Sequence, residues 1–84
     1  MHTPPGFVQL FVNVGKREGV HPSDLQKLLS DSGIATQDAG RIRVRDRMTF
    51  MTVRKEMFDQ AVAALTGHVF GGRTVVAERA RGRG

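Results

Sequence analysis

The stretch GRIRVRDRMTFMTVR, Gly40–Arg54, decides how this chain is read. Arginine stands at Arg41, Arg43, Arg45 and Arg47, every second position, with Ile42 and Val44 between the first three. A period of two marks a strand with two different faces, here one basic and one aliphatic. A second β-rich run, Met48–Arg54, follows with only Asp46 and Arg47 between the two. That spacing predicts a tight hairpin, although Asp-Arg is not a favoured turn pair. In this register Arg45 lies opposite Met48, Arg43 opposite Phe50 and Arg41 opposite Thr52. Directly opposed residues share a face. Ile42 and Val44 then join Thr49, Met51 and Val53 on a buried face, and the arginines, Met48 and Phe50 occupy the other.

Upstream, FVQLFVNV (Phe7–Val14) alternates in the same way. Val8, Leu10, Val12 and Val14 take the inner parity, and Gln9, Phe11 and Asn13 the outer. If this first strand neighbours the third, Phe11 joins Phe50. A basic loop, GKREGV, leads into HPSDLQKLLSDSG. There Pro22 suits the first helical position and Asp24 the positive end of the helix dipole. Leu25, Leu28 and Leu29 form an apolar stripe and Gly33 a stop. Downstream, KEMFDQAVAALTG reads as a second helix with its stripe at Phe58, Ala61, Val62 and Leu65, ended by Gly67. A Gly71–Gly72 turn then precedes a last strand from about Arg73 to Arg79.

The order strand, helix, strand, strand, helix, strand is that of an α+β, ferredoxin-like βαββαβ fold. It predicts a four-stranded antiparallel sheet with two helices on one face and the other face open to water. The expected organisation is a disordered lead-in at residues 1–6, one domain at 7–80 and an Arg/Gly-rich tail at 81–84. The tail arginines could add nonspecific phosphate contacts.

Composition bounds the function. Eighty-four residues make one small domain with a modest core and no room for a deep cleft. There is no cysteine, which excludes disulfide frameworks and zinc–thiolate sites. No apolar run nears the roughly 20 residues of a membrane span. The start MHTPPGF lacks the features of a signal peptide, so a cytoplasmic location is expected. The net charge is +5, from 13 basic and 8 acidic residues, and the pI is about 11.1. Arginine outnumbers lysine, and the planar guanidinium suits phosphates, base edges and ring stacking. A basic small domain of this kind points to nucleic acid.

The open face carries the chemistry. Phe11 and Phe50 beside a row of guanidiniums form a stacking platform with phosphate clamps. Candidate nucleic-acid-binding residues are therefore Phe11 and Phe50 for stacking, and Arg41, Arg43 and Arg45 for phosphates or base edges. Met48 shares the face, and Asn13 is placed to hydrogen-bond a base. Other signals carry less. GHVFGGRT, Gly67–Thr74, is near the pattern of a phosphate loop, but Arg73 replaces the lysine. It also leaves a helix and enters a strand, the reverse of the required context. His2, His21 and His68 have no ligand spacing, and the carboxylates are scattered. No catalytic residue, metal or cofactor is expected.

Two segments resemble an RNA recognition motif. LFVNVG, Leu10–Gly15, is similar to its hexamer, with Phe11 at the stacking position. DRMTFMTV, Asp46–Val53, is similar to its octamer. Phe50 fills one stacking position, Met48 stands at the other, and Asp46 replaces the usual basic first residue. Over Val8–Arg81 the chain more specifically resembles the C-terminal RNA-binding domain of DbpA-type DEAD-box RNA helicases. LFVNVGKREGVHPSDL, GRIRVRDRMTFMTV and GGRTVVAERARG carry this likeness. The resemblance implies a noncatalytic module that tethers an ATP-dependent helicase core, in the same parent chain, to structured ribosomal RNA, with a role in ribosome biogenesis. It also implies contacts from loops and sheet edges, which brings in Lys16 and Arg17 of the first loop. Two readings from other classes compete. One is a ferredoxin-like protein-interaction domain whose open sheet docks a partner or a second copy. The other is an acylphosphatase-like enzyme, which VGKREGVHP does not resemble.

Overall fold

The computed structural model describes residues 5–80. The main sheet has four antiparallel strands: β1 (Phe7–Val12), β2 (Ala39–Val44), β3 (Thr49–Arg54) and a short last strand, β6 (Ala77–Arg79), in the order β2-β3-β1-β6. Helices α1 (Pro22–Asp31) and α2 (Phe58–Leu65) join them, so the ferredoxin-like βαββαβ architecture holds. An extra hairpin, β4 (Val69–Phe70) with β5 (Arg73–Thr74), interrupts the path from α2 to β6.

The core follows strand and helix parity. Leu10, Val12 and Val14 from the β1 segment, Met51 and Val53 from β3, Leu25 and Leu29 from α1, and Ala61 and Leu65 from α2 are all buried. Ile42, Val44, Phe58 and Val62 pack partly buried against them. Thr49 is polar but buried, and its hydroxyl donates to the Val14 carbonyl at 2.8 Å, which removes the cost of an orphaned polar group. At the start of α1 the Asp24 carboxylate accepts the His21 backbone N–H at 3.0 Å. The helix ends in a Schellman turn. Ile34 N–H donates to Leu29 at 3.0 Å and Gly33 N–H to Ser30 at 3.0 Å, with Gly33 at φ +87°.

Three expectations are corrected. The predicted last strand, Arg73–Arg79, is broken in two. Arg73 and Thr74 pair with β4, Val75 turns into the core, and only Ala77–Arg79 pairs with β1. The break is fixed by hydrogen bonds from Val75 N–H to His68 at 2.7 Å and from Gly67 N–H to Val75 at 2.9 Å. Second, β1 ends at Val12, because beyond it Asn13 bonds this break rather than a neighbouring ladder. Third, the β2–β3 hairpin has the expected register at Ile42–Met51, Arg43–Phe50 and Val44–Thr49, but an irregularity falls between Ala39 and Ile42. Arg41 is therefore not squarely opposed to Thr52. Gly40 lies so close to the Thr52 side chain that a Cβ there would collide with Oγ1.

Of the expected lead-in, Pro5 and Gly6 form a turn whose Gly6 carbonyl accepts the Lys55 N–H at 2.9 Å. The rest of the lead-in, with His2, and the tail at 81–84 lie outside the described residues.

Candidate nucleic-acid interface

The two helices cover one side of the sheet, and the opposite parity of each strand forms an open face. β1 and β3 are neighbours, with Phe11 paired to Phe50. Their rings meet edge to face, centroids 5.7 Å apart and planes at 60°. Both are partly buried, so each presents part of a ring to solvent. Arg43, paired to Phe50 on the other side, is exposed, as are Arg41 and Arg45. Among the described residues none of these three arginines joins an ion pair. Charges two residues apart on a strand lie about 7 Å apart, which in water is a repulsion of up to ~0.6 kcal/mol per neighbouring pair. An anion seated on the row would relieve that repulsion. Met48 sits partly buried at the turn, where Arg45 N–H donates to its carbonyl at 2.8 Å.

The first loop is part of the same surface. Lys16 N–H donates to the Arg45 carbonyl at 2.7 Å and Arg17 N–H to the Asp46 carbonyl at 2.9 Å. The loop therefore sits against the β2–β3 turn through its backbone, and both basic side chains stay exposed. Gly15 permits the approach: a Cβ there would collide with the Arg45 carbonyl oxygen and lie 2.7 Å from the Met48 nitrogen. Glu18 holds the loop from within, accepting Gly15 N–H at 2.7 Å and facing Arg73 of β5 at 3.7 Å. The backbones of Lys16 and Arg17 thereby lie against Arg45 and Asp46 at the hairpin turn, the end of the sheet nearest Phe11 and Phe50.

Asn13 is placed differently from the expectation. Its side-chain oxygen accepts Val76 N–H at 2.7 Å and its nitrogen donates to the Thr74 carbonyl at 3.1 Å. Both ends of the amide thus help to join the β5–β6 segment to β1.

The strands also bring in residues that the sequence reading passed over. Glu78, paired to Phe11, adds a carboxylate to the open face. With Phe11, Phe50, Arg79 and Ala80 it lines a recess of about 270 Å³. At the other end of β1, Phe7 shares the parity of Phe11 and pairs with Arg54. Its ring lies 5.2 Å from the Arg54 guanidinium carbon. Strand parity alone could have placed Phe7 and Glu78 on this face. The Phe7–Arg54 contact needed the β1–β3 register. No group of His, Asp or Glu able to hold a metal occurs among the described residues.

An Arg- and Phe-bearing sheet face beside a basic loop is the chemistry of single-strand and loop RNA recognition. An uncharacterized protein of Treponema pallidum (strain Nichols) is 28% identical over 79 residues, which cover 93% of this chain and 35% of that protein. The chain thus spans about a third of the length of that relative. Residues 9–79 match the family described as the DbpA RNA binding domain, and the match takes in both paired phenylalanines, the arginine row and the loop docked on it: the chain belongs to the DbpA RNA-binding domain family, and RNA is its partner.

Proposed function

We propose that the domain is the targeting module of an ATP-dependent DEAD-box RNA helicase, and that it delivers the helicase core to structured ribosomal RNA during ribosome biogenesis in the cytoplasm. The domain itself carries out no reaction in this reading; ATP hydrolysis belongs to the core. The observation that carries the proposal is the joining of two surfaces by backbone hydrogen bonds. Lys16–Arg45 and Arg17–Asp46 fix the basic loop against the edge of the Phe11–Phe50 platform. A folded RNA offers both an unstacked loop for the rings and converging phosphates for the basic loop, whereas a generic basic surface needs no such fixed geometry. Phe11 and Phe50 stack bases, Arg41, Arg43 and Arg45 hold phosphates or base edges, and Lys16 and Arg17 take flanking phosphates. Met48 supplies apolar contact where a third ring is usual.

The test is titration of a ribosomal-type hairpin and an unstructured strand of equal length at several salt concentrations. Tighter hairpin binding that persists at high salt supports the proposal. Equal, steeply salt-dependent binding of both would leave a nonspecific polycation and overturn it.

A further inference from the structure

A second anchor point lies on the same face, about 13 Å from the aromatic pair along β1, given four residues of extended strand between Phe7 and Phe11. There Arg54 is held from two sides. Its Nε donates to Asp38 Oδ1 at 2.9 Å, and its guanidinium lies over the Phe7 ring. Asp38 is largely buried, at 19% side-chain exposure, whereas Arg54 remains 44% exposed. Asp38 takes only the Nε–H. The Nη1 and Nη2 donors of Arg54 have no partner among the described residues. The result is a guanidinium fixed in place with its outer fork presented to solvent, a geometry suited to the paired oxygens of a phosphodiester.

We infer that Arg54, positioned by Asp38 and Phe7, is a phosphodiester subsite for the same RNA strand that stacks on Phe11 and Phe50. This rests on the open-face reading above and extends it to the far end of the sheet. A strand held at both places crosses the sheet along β1 and β3. The exposed arginines of β2 line one side of that path and Glu78 the other, so phosphates are drawn toward the β2 side.

The experiment compares a dinucleotide, too short to span both places, with an unstructured octanucleotide, followed by NMR titration of the intact domain. Wild type, Arg54→Lys, Arg54→Ala and Phe50→Ala are measured, each with a thermal melt. The Lys variant keeps the ion pair with Asp38 and loses the fork, so it decides the question if the Ala variant does not fold. The inference requires both Arg54 variants to weaken octanucleotide binding and to leave the dinucleotide unchanged. Arg54→Ala should also lower the salt slope for the octanucleotide by about 0.7, the share of one single-strand phosphate. Unchanged octanucleotide affinity, or equal loss for both RNAs, overturns it. Phe50→Ala separates the two readings. If it weakens both RNAs while the Arg54 variants do nothing, only the second subsite is lost. If it has no effect on either RNA, the open-face reading itself fails.

Discussion

Replacing Gly15 by alanine tests whether the basic loop and the hairpin turn are one rigid surface. The atoms a methyl group would meet at position 15 are the Arg45 carbonyl oxygen, the Met48 nitrogen at 2.7 Å and the Asp46 carbonyl carbon at 2.9 Å. All three are backbone and cannot swing aside. The loop must back away from the turn, which breaks the Lys16–Arg45 and Arg17–Asp46 hydrogen bonds. Two such bonds contribute about 1–3 kcal/mol together. Alanine returns about 0.4–1 kcal/mol by restricting the unfolded chain. The net loss is about 1.3 kcal/mol, and in a domain of this size Tm falls by roughly 5–10 °C. Below that temperature Lys16 and Arg17 are detached from the turn, so RNA binding loses up to two phosphate contacts and its salt slope drops by as much as about 1.4. Gly40→Ala is the matched control. Its main obstacle is the Thr52 hydroxyl, an atom that a χ1 rotation can remove, at about 1 kcal/mol. Differential scanning fluorimetry and a salt-series titration read both quantities. A Gly15→Ala protein that melts within about 2 °C of wild type and keeps its salt slope would show that the loop is not built onto the turn as described.

Three further outcomes are expected. Phe50→Ala should weaken RNA binding about 5- to 150-fold, the loss of one stacked base at about 1–3 kcal/mol, while circular dichroism stays native; equal affinity in the two proteins would remove the platform from the mechanism. Asn13→Ala should destabilise the domain by about 1–3 kcal/mol in urea, because Val76 N–H and the Thr74 carbonyl lose their side-chain partner; undiminished stability with lost RNA affinity would assign the amide to RNA instead. Arg43→Ala should reduce the salt slope by about 0.7 without a large change in Tm, since Arg43 is exposed and outside every ion pair among the described residues; an unchanged slope would mean that its charge does not meet a phosphate.

The parts of the fold that were legible rest on local rules. Arginine–aliphatic alternation and a two-residue gap fix the 42–44 to 49–51 register, because a slip by one residue would place Arg43 in the core. The leucine stripe, Pro22 and Gly33 likewise bound α1. What failed was decided by contacts far apart in sequence. RTVVAER has the composition of one continuous strand, and nothing within it announces a break. The break is held by the Val75–His68 and Gly67–Val75 bonds and by Asn13, 61 residues before Thr74 and 63 before Val76, whose amide catches the backbone of both. The same fact gives Asn13 a structural role that its type did not announce. An outward-facing amide on a nucleic-acid-binding face serves a base or a backbone equally well by type, and only the position of residues 74–76 distinguishes them.

The site shows the same division on a larger scale. The arginine row and the two phenylalanines could be read because they lie on paired strands, where parity is sufficient. Lys16 and Arg17 entered through a family resemblance, since no spacing rule ties a loop to a turn some 30 residues further on. Their attachment depends on Gly15 having no side chain, which becomes meaningful only when Arg45 is known to sit beside it. Phe7 and Arg54 went unread for a related reason. Each looks like the ordinary end of a strand, and their contact, with Asp38 behind it, exists only in the β1–β3 register. The open face joins residues that stabilise one another only in part. The unpaired arginines repel, and the partly buried rings beside them gain an edge-to-face contact but keep part of their area open to solvent. In the proposed RNA role, an anionic, stackable ligand would supply the counter-charge and the cover that the fold does not.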